Sequence, residues 1–287
     1  MKQIVGIYQN KHMHWVGDGF PVYNLFSYDR LGQSISPFLL LDYAAPYRFE
    51  PTQAQHGVGS HPHRGFETVT IAYQGEVTHK DSTGGGGTIK AGDVQWMTAG
   101  GGILHQEFHS PEFAQQGGLF EMVQLWVNLP THSKMTPAKY QAIESEQIQR
   151  IALDDQGSEL RIIAGQYQET AGAATTFSPV NVWDGTLSAE QAHTFYVTEG
   201  HTTLFVLLSG QVTLNEQVIE APSLVVLSRE DIDFTVTATQ NSKFLILTGQ
   251  PLNEPIEGYG PFVMNNKAEI IDAINDFNSG KFGVMES

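Results

Sequence analysis

The amino-acid sequence predicts an all-β protein made of two similar barrels in tandem. Three observations support this fold class: the length of the chain, its wealth of turn-forming residues, and an internal repeat. The 287 residues include 29 glycines and 13 prolines, and only 16% of them are charged. This length exceeds that of one typical domain. Turns between short strands need the φ freedom of glycine and the fixed φ of proline.

Short apolar or alternating segments recur between turn signals along the whole chain. Runs of this kind at regular spacing are typical of antiparallel barrels and sandwiches. The clearest predicted strands cover residues 66–73, 94–98, 120–129, 203–208, 224–227 and 243–248.

The two halves of the chain look like distant copies of each other. IAYQGEVTHK (71–80) and LLSGQVTLNE (207–216) each join one strand to the next through a glycine turn. A second turn and another apolar strand follow in both halves, as AGDVQWM (91–97) and APSLVVL (221–227). Because the order of these features matches, we infer two barrels of similar design.

The clearest helical pattern lies in the tail after the second repeat. Apolar residues at helical spacing predict a helix over residues 267–278, with Asn265 or Asn266 as its N-cap and Gly280 beyond its end. A weaker pattern predicts another helix over residues 137–149. The predicted organisation is an N-terminal barrel at 1–135, a C-terminal barrel at 136–250, and a tail at 251–287 that packs back on the first barrel.

Composition excludes several classes of function. The formal net charge is −16, from 31 acidic and 15 basic residues, so the surface would repel nucleic acid. The chain has no cysteine, which excludes disulfides, zinc fingers and thiolate chemistry. We see neither a secretory signal nor a segment long enough to cross a bilayer. We therefore expect a soluble, cytoplasmic protein without a nucleic-acid or membrane partner.

Two pairs of potential metal ligands lie in separate predicted strands. His61 and His63 flank Pro62, which is incompatible with a helix interior and favours extended backbone before it. Side chains alternate along a strand, so both imidazoles point to one face. His105 and Glu107 have the same spacing and follow a glycine-rich turn. Two such pairs on neighbouring strands predict a single metal site.

The predicted ligand set indicates the class of metal. Three imidazoles and one carboxylate suit a borderline divalent ion. Fe(II) is our first candidate, with Mn, Co, Ni, Cu and Zn as alternatives, and we expect one ion per chain. A lone histidine in a strand is more often a hydrogen-bonded structural residue, but a second pair with the same spacing makes coincidence a poor explanation. Val69 and Ile71 continue the phase of the histidines, so we expect them to face the interior too.

Several motifs resemble those of the pirin family, which are bicupins of the cupin superfamily. The resemblance covers most of the chain and implies two tandem cupin barrels of the double-stranded β-helix, or jelly-roll, type. It also implies one metal ion in the N-terminal barrel, held by His61, His63, His105 and Glu107. The motifs are VGDGFPVYNLFSY (16–28), HPHRGFETVT (61–70), GDVQWMTAG (92–100) with GILHQE (102–107), QLWVNLP (124–130) and GPFVMN (260–265).

The comparison with cupins in general leaves one ligand open. Their carboxylate ligand lies four residues after the second histidine, at the position of Glu67 here, and Glu67 is in phase with the histidine pair. Glu67 is therefore an alternative ligand, or a group that orients a ligand imidazole. In the second barrel, counting back from the glycine turn places Tyr196 and Thr198 at the histidine positions. We therefore expect no metal there.

The resemblance implies two alternative functions. Bacterial pirins resemble quercetin 2,3-dioxygenases, so the first is a metal-dependent oxidoreductase that cleaves a flavonol-like aromatic substrate with O2. The substrate would chelate the metal through its 3-hydroxyl and 4-carbonyl oxygens, and Glu107 would be the catalytic base. The second is a metal- or redox-responsive regulator that binds a protein partner, as animal pirins do. A third alternative is another cupin enzyme, such as a sugar isomerase.

Residues around the predicted site carry less specific expectations. Gln124 and Trp126 share a strand face and either line the pocket or pack in the core. Arg64 follows the histidine pair on the opposite face, so we expect it to be an ion-pair partner. His79 and His109 lie near the site in sequence, and we assign them no role.

Overall fold

Short strands follow one another along the chain in a computed structural model that describes residues 1–285. The first half contains β1 (Ile4–Tyr8), β2 (Met13–Val16), β3 (Phe20–Ser27), β4 (Phe38–Phe49), β5 (Gly57–His63), β6 (Phe66–Gln74), β7 (Val77–Asp81), β8 (Gly86–Ile89), β9 (Val94–Thr98), β10 (Ile103–His109), β11 (Gly118–Asn128) and β12 (Lys139–Ile143). The second half contains β13 (Gln149–Ala152), β14 (Glu159–Ala164), β15 (Gln166–Tyr167), β16 (Thr170–Ala171), β17 (Val180–Leu187), β18 (Ala192–Tyr196), β19 (Thr202–Ser209), β20 (Gln211–Leu214), β21 (Gln217–Glu220), β22 (Ser223–Leu227), β23 (Asp233–Ala238), β24 (Ser242–Gly249), β25 (Glu257–Tyr259) and β26 (Phe262–Met264). The α-helices are α1 (Tyr28–Leu31), α2 (Pro111–Gln116) and α3 (Lys267–Asn278).

The chain divides into two compact units. Barrel N comprises His12–Asn24, Leu39–Ser145 and Asn253–Ser287, and barrel C comprises Met1–Lys11, Leu25–Phe38 and Glu146–Leu252. In barrel N, a sheet in the order β12-β9-β6-β11-β4-β3-β2 shares an apolar core with a sheet in the order β5-β10-β7-β8. Barrel C also has two sheets that share an apolar core, one in the order β1-β22-β19-β24-β17-β14-β13 and one in the order β18-β23-β20-β21. These strand orders confirm the predicted all-β fold of two barrels.

The two barrels correspond strand by strand, which explains the repeat seen in the sequence. The repeated segments form β6, β7 and β9 in one barrel and β19, β20 and β22 in the other. β12 pairs with β9 in barrel N, and β1 takes the equivalent place beside β22 in barrel C. The first strand of the chain therefore belongs to the second barrel, whereas the predicted division assigned it to the first. An unpaired strand edge leaves backbone groups without partners, and β1 satisfies those of β22.

The C-terminal helix forms where the sequence predicts it. The side chain of Asn266 accepts a hydrogen bond from the Glu269 N–H at 3.0 Å, which caps the first turn. The buried residues of α3, Ile270 and Ala273, pack on Phe262 and Met264 of β26. Within residues 1–285, no helix has the length and apolar content needed to span a membrane.

The predicted helix over residues 137–149 is wrong. β12 lies there instead, and Tyr140 pairs with Met97 in the buried strand β9. The backbone partners offered by the edge of β9 outweigh a weak helical pattern, because secondary-structure propensity is a small free energy that tertiary pairing overrides.

An irregular junction separates β5 from β6. β5 ends at His63, and β6 begins at Phe66. Gly65 between them has a φ of 91°, a conformation that favours glycine, and its N–H donates to the carbonyl of Gly100 at 2.8 Å. Side-chain alternation therefore does not continue from β5 into β6.

Candidate metal centre

Three histidines converge in barrel N. His61 and His63 lie on β5, and the antiparallel ladder places His105 of β10 directly opposite His61. The ring centroids are 4.2 Å apart for His61 and His105, 4.8 Å for His63 and His105, and 4.9 Å for His61 and His63. One ligand nitrogen from each ring lies within 4.8 Å of the others. Three imidazole nitrogens at this spacing could hold one metal ion.

The electrostatic state of the three rings suits metal binding. Burial lowers the pKa of His61, and it lowers those of His63 and His105 well below the ordinary value. The rings are therefore neutral near pH 7, the form in which imidazole binds metals. The Gly59 carbonyl accepts a hydrogen bond from the His61 Nδ1–H at 2.9 Å, which leaves Nε2 with a free lone pair.

Buried nitrogen atoms without partners give an independent test of the fit. Within residues 1–285, His63 Nδ1 and both ring nitrogens of His105 are buried and have no hydrogen-bond partner. Buried polar atoms in proteins are nearly always hydrogen-bonded, so such atoms need an explanation. A metal ion would take one nitrogen of each ring, and the unpaired nitrogens of His63 and His105 therefore fit a divalent ion.

Glu107 lies near the triad but makes its own contacts. It follows His105 on the same face of β10, and a register shift in the β5–β10 ladder separates the two residues. Its buried carboxyl hydrogen-bonds the side chains of Thr70 and Gln124. Among residues 1–285, the group of closely spaced ligand atoms contains the three histidines and not Glu107. Its role as fourth ligand stays a prediction.

Glu107 has a raised pKa. Burial raises the pKa of its carboxyl to about 7, although its hydrogen bonds with the Thr70 and Gln124 side chains act in the opposite direction. A carboxyl with a pKa near the ambient pH can both take up and release a proton.

Glu67 faces away from the triad, contrary to its predicted phase. Its carboxylate accepts a hydrogen bond from the Thr98 hydroxyl at 2.7 Å. Burial raises its pKa to about 7. Thr70, three residues later, contacts Glu107, so Glu67 lies on the other face of β6. The alternative ligand role predicted for Glu67 is therefore wrong, because the Gly65 junction breaks the alternation.

The same phase change alters the apolar lining of the site. Val69 and Ile71 are buried, but they lie on the same face of β6 as Glu67. The prediction that they face the barrel interior beside the histidines is therefore wrong. Phe66 and Trp126 pack on the His63 ring instead, at centroid distances of 5.1 and 5.4 Å. Aromatic contacts of this kind fix the plane of an imidazole.

The structure decides the role of Gln124 and Trp126, which the sequence left open, and confirms the one predicted for Arg64. Gln124 accepts a hydrogen bond from the Thr70 hydroxyl at 2.5 Å and contacts Glu107, so it lines the site together with Trp126. Arg64 forms an ion pair with Asp276 at 2.9 Å, as the sequence predicts.

Sequence analysis missed a buried histidine–tyrosine pair next to Glu107. His79 on β7 lies directly opposite Glu107 in the β7–β10 ladder. The Tyr140 hydroxyl hydrogen-bonds His79 Nε2, and the two rings stack at 4.6 Å and 26°. Burial lowers the pKa of His79 to about 4 and, with the nearby Glu107 charge, raises that of Tyr140. The alternation of side chains along β7 could have indicated that His79 faces the barrel interior. Tyr140 was missed because the sequence predicted a helix over residues 137–149 instead of a strand.

Barrel C has an apolar interior at the equivalent positions. Glu107 pairs with His79 in one barrel, and Val236 pairs with Leu214 in the other. Phe195, not the exposed Tyr196, takes the place of His61, since Phe195 pairs with Phe234 as His61 pairs with His105. In chain order, the positions of Thr70, His79, His105, Glu107 and Gln124 are taken by Phe205, Leu214, Phe234, Val236 and Ile246.

Known families and proteins match nearly the whole chain. The family model described as Pirin matches residues 19–127, and the one described as Pirin C-terminal cupin domain matches residues 182–283. A Pseudomonas aeruginosa protein provisionally named quercetin 2,3-dioxygenase is 53% identical over 282 residues, which are 98% of this chain and 99% of that relative. Pirin-1 of Arabidopsis thaliana is 40% identical over 233 residues, 79% of this chain and 78% of its own.

Solved structures share the architecture. The structure of a quercetin 2,3-dioxygenase from Acinetobacter baumannii has a TM-score of 0.97 and 74% sequence identity, and the match covers 99% of both chains. A bacterial pirin from Escherichia coli, solved in complex with nickel(II), has a TM-score of 0.66 at 18% identity over 86% of this chain and 99% of its own. These matches confirm the predicted pair of cupin barrels.

Proposed function

Because this chain belongs to the pirin family of two-barrel cupin proteins, we propose that it is a metal-dependent dioxygenase of the quercetin 2,3-dioxygenase type. The proposed substrates are a flavonol-like aromatic molecule and O2. One observation carries most of the proposal: three imidazoles converge close to the buried carboxyl of Glu107, and two of them, His63 and His105, have buried nitrogens without a hydrogen-bond partner.

The proposed metal ligands are His61, His63, His105 and Glu107. Imidazole and carboxylate donors suit Fe(II), our first candidate, and also Mn, Co, Ni, Cu and Zn. A bound ion would polarise the two chelating oxygens of a flavonol and offer a position for exchangeable ligands. The carboxylate would supply the negative charge that three neutral histidines lack.

Glu107 is the proposed base. It takes the proton of the 3-hydroxyl group, which makes the flavonol ring electron-rich at C2. O2 would then add across C2 and C4, after which the O–O, C2–C3 and C3–C4 bonds break, C3 leaves with its oxygen as carbon monoxide, and C2 and C4 each keep one oxygen atom of O2. Both atoms of O2 remain in the ester product, and the proton held by Glu107 returns to its carboxylate. Glu107 would take up the proton after release from the metal, where burial raises its pKa to about 7 and lets it both accept and return a proton.

Neighbouring side chains hold the reacting groups. Thr70 and Gln124 orient the Glu107 carboxyl through hydrogen bonds. Phe66 and Trp126 stack against each other with centroids 4.3 Å apart and form an apolar wall beside His63. Such a wall excludes bulk water from the electron-rich substrate and limits side reactions.

The experiment that tests the proposal measures O2 uptake and carbon monoxide release with quercetin. The metal-loaded protein is compared with the His105→Ala variant and with His193→Ala, which removes a histidine of barrel C. We expect turnover that disappears in the first variant and persists in the second. Protein that binds about one ion per chain, yet shows no turnover with any of the six metals, would contradict the proposal. It would favour the alternative, a pirin-type regulator that binds a protein partner.

A further inference from the structure

Arg64 joins three parts of barrel N around the candidate metal centre. It follows His63 directly, and its side chain is buried. Its Nε donates to the Gly101 carbonyl at 2.7 Å, in the turn that leads to His105. Its Nη2 donates to Asp276 of α3 at 2.9 Å, and the guanidinium lies 4.8 Å from the centre of the Phe282 ring. We refer to residues 261–282 as the C-terminal clamp.

Backbone hydrogen bonds fasten the clamp to the end of β5. The Arg64 N–H donates to the Pro261 carbonyl at 3.3 Å, and the Val263 N–H donates to the Arg64 carbonyl at 3.0 Å. A Cβ atom on Gly65 would lie 2.0 Å from the Val263 carbonyl oxygen, so only glycine permits this approach. The clamp therefore contacts the chain immediately after the second histidine.

A buried ammonium group holds the same junction. Lys134 Nζ donates to the Gly65 carbonyl at 2.8 Å, the Asn128 side-chain oxygen at 2.7 Å and the Val263 carbonyl at 2.9 Å. Three acceptors use all the donors of a lysine ammonium. The Lys134 side chain thus joins the clamp to the junction between β5 and β6 through three hydrogen bonds.

The clamp also contacts the start of β10, the strand of His105. A Cβ atom on Gly102 would lie 2.4 Å from the Phe282 ring. The Ser82 hydroxyl donates to the Phe282 carbonyl at 2.5 Å and accepts from the Leu104 N–H at 3.0 Å. Leu104 itself packs on the apolar cluster of the clamp. Both histidine-bearing strands are therefore held from the same segment.

We propose that the C-terminal clamp is a positioning element of the metal centre, and that Arg64 and Asp276 are its positioning residues. Metal binding needs three imidazoles from two strands at fixed separation, and the clamp holds the end of one strand to the start of the other. Groups that orient metal ligands typically contribute roughly 10- to 100-fold to affinity. Because coupling between two sites is reciprocal, a bound metal also stabilises the docked clamp. The inference rests on the proposed metal site and not on the dioxygenase activity.

The first test measures Ni2+ affinity by calorimetry in Asp276→Asn and Asp276→Ala. Both variants leave the buried Arg64 without its anionic partner. The matched control is Arg150→Ala, because it breaks an ion pair with Glu159 at 2.6 Å between residues outside the clamp. We expect Kd to rise roughly 10- to 100-fold in the Asp276 variants and to stay within about 2-fold in the control. Unchanged affinity in folded Asp276 variants would overturn the proposal.

The second test follows amide hydrogen exchange of β26 and α3 in the wild-type protein. Ni2+ should slow this exchange, and His105→Ala should abolish the effect. Exchange that does not respond to Ni2+ would overturn the coupling, even if the Asp276 variants fail to fold. Lack of turnover with quercetin would leave both expected results unchanged. Absence of Ni2+ binding to the wild-type protein would contradict the metal site and, with it, the role of the clamp.

Discussion

His105 stands directly opposite His61 in the β5–β10 ladder, with the ring centroids 4.2 Å apart. His63 shares the face of His61, two residues further along β5. Sheet register therefore assembles the triad from two strands. A slip of one residue would turn one strand's histidines to the opposite face, since side chains alternate with a period of two.

The His105→Ala substitution should remove metal binding. It deletes the ring that lies close to both other histidines, and two imidazoles bind a divalent ion far more weakly than three. We expect the affinity for Ni2+ to fall at least about 100-fold. Losing a group that only orients a metal ligand already lowers affinity by about 10- to 100-fold, and losing the ligand itself should cost no less. Calorimetry and metal analysis of the purified protein measure it. His193→Ala is the control, and a full equivalent of tightly bound metal in His105→Ala would refute the assignment.

The Glu107→Gln substitution should keep the fold and abolish most turnover. Glutamine preserves the shape and can still bond Thr70 and Gln124, but it cannot accept the substrate proton. Loss of a general base typically lowers kcat by about 10²- to 10⁴-fold. Glu67→Gln is the matched control, because Glu67 has a similar pKa of about 7 but faces away from the triad. Equal activity in wild type and Glu107→Gln would exclude Glu107 as the base.

Glu67→Gln should instead change how stability depends on pH. The pKa of Glu67 is about 7 in the folded protein against an ordinary value of 4.5. Between these values the unfolded chain releases a proton that the folded protein retains, so this residue lowers stability as pH rises. The loss is roughly 3 kcal/mol and is nearly complete by pH 8.

Urea unfolding at pH 5 and pH 8 measures this effect. The Gln variant lacks the titrating group, so its advantage over wild type should grow by the same amount between the two pH values. A difference in stability that does not change with pH would show that Glu67 is not held protonated by its burial.

Tyr140→Phe should destabilise barrel N. The substitution removes the hydroxyl that bonds His79 Nε2 and leaves that buried nitrogen without its partner, at a cost of about 1–3 kcal/mol. Tyr167→Phe in barrel C is a matched control, since its hydroxyl lies 3.1 Å from Nε2 of the partly exposed His193, which water can reach. Its effect on thermal unfolding should be smaller.

A second substitution separates the unpaired nitrogen from the lost packing. His79→Leu introduces the residue type found at the equivalent position of barrel C, Leu214. In the Tyr140→Phe background it should restore part of the stability, because it removes the His79 nitrogen that would otherwise be buried without a partner. A further loss of stability in the double variant would show that packing, and not the hydrogen bond, dominates this pair.

Features that depend on neighbouring residues could be predicted from the sequence. The spacing of His61 and His63, and of His105 and Glu107, follows from the alternation of side chains along a strand. The same local logic predicts α3 and its Asn266 cap, because the helix period and the capping side chain lie within one short segment.

Features that depend on the partner of a strand could not be predicted. The φ of 91° at Gly65 breaks the alternation and turns Glu67 away from the histidines, although glycine in a sequence does not reveal its backbone angle. Likewise, the residues of β12 do not indicate that β9 offers them an edge, so Tyr140 and its bond to His79 were missed.

The sequence by itself determined the class of the fold, the repeat of two barrels, the helix at the C-terminus and the spacing of the histidines that converge in barrel N. Each follows from periodicity or spacing over short distances, where the chain geometry leaves few choices. Only the tertiary structure decided that β1 completes barrel C, that Glu67 faces away and that the C-terminal clamp holds both histidine strands. These depend on register and on contacts between distant segments, whose free energies arise only once the sheets have formed.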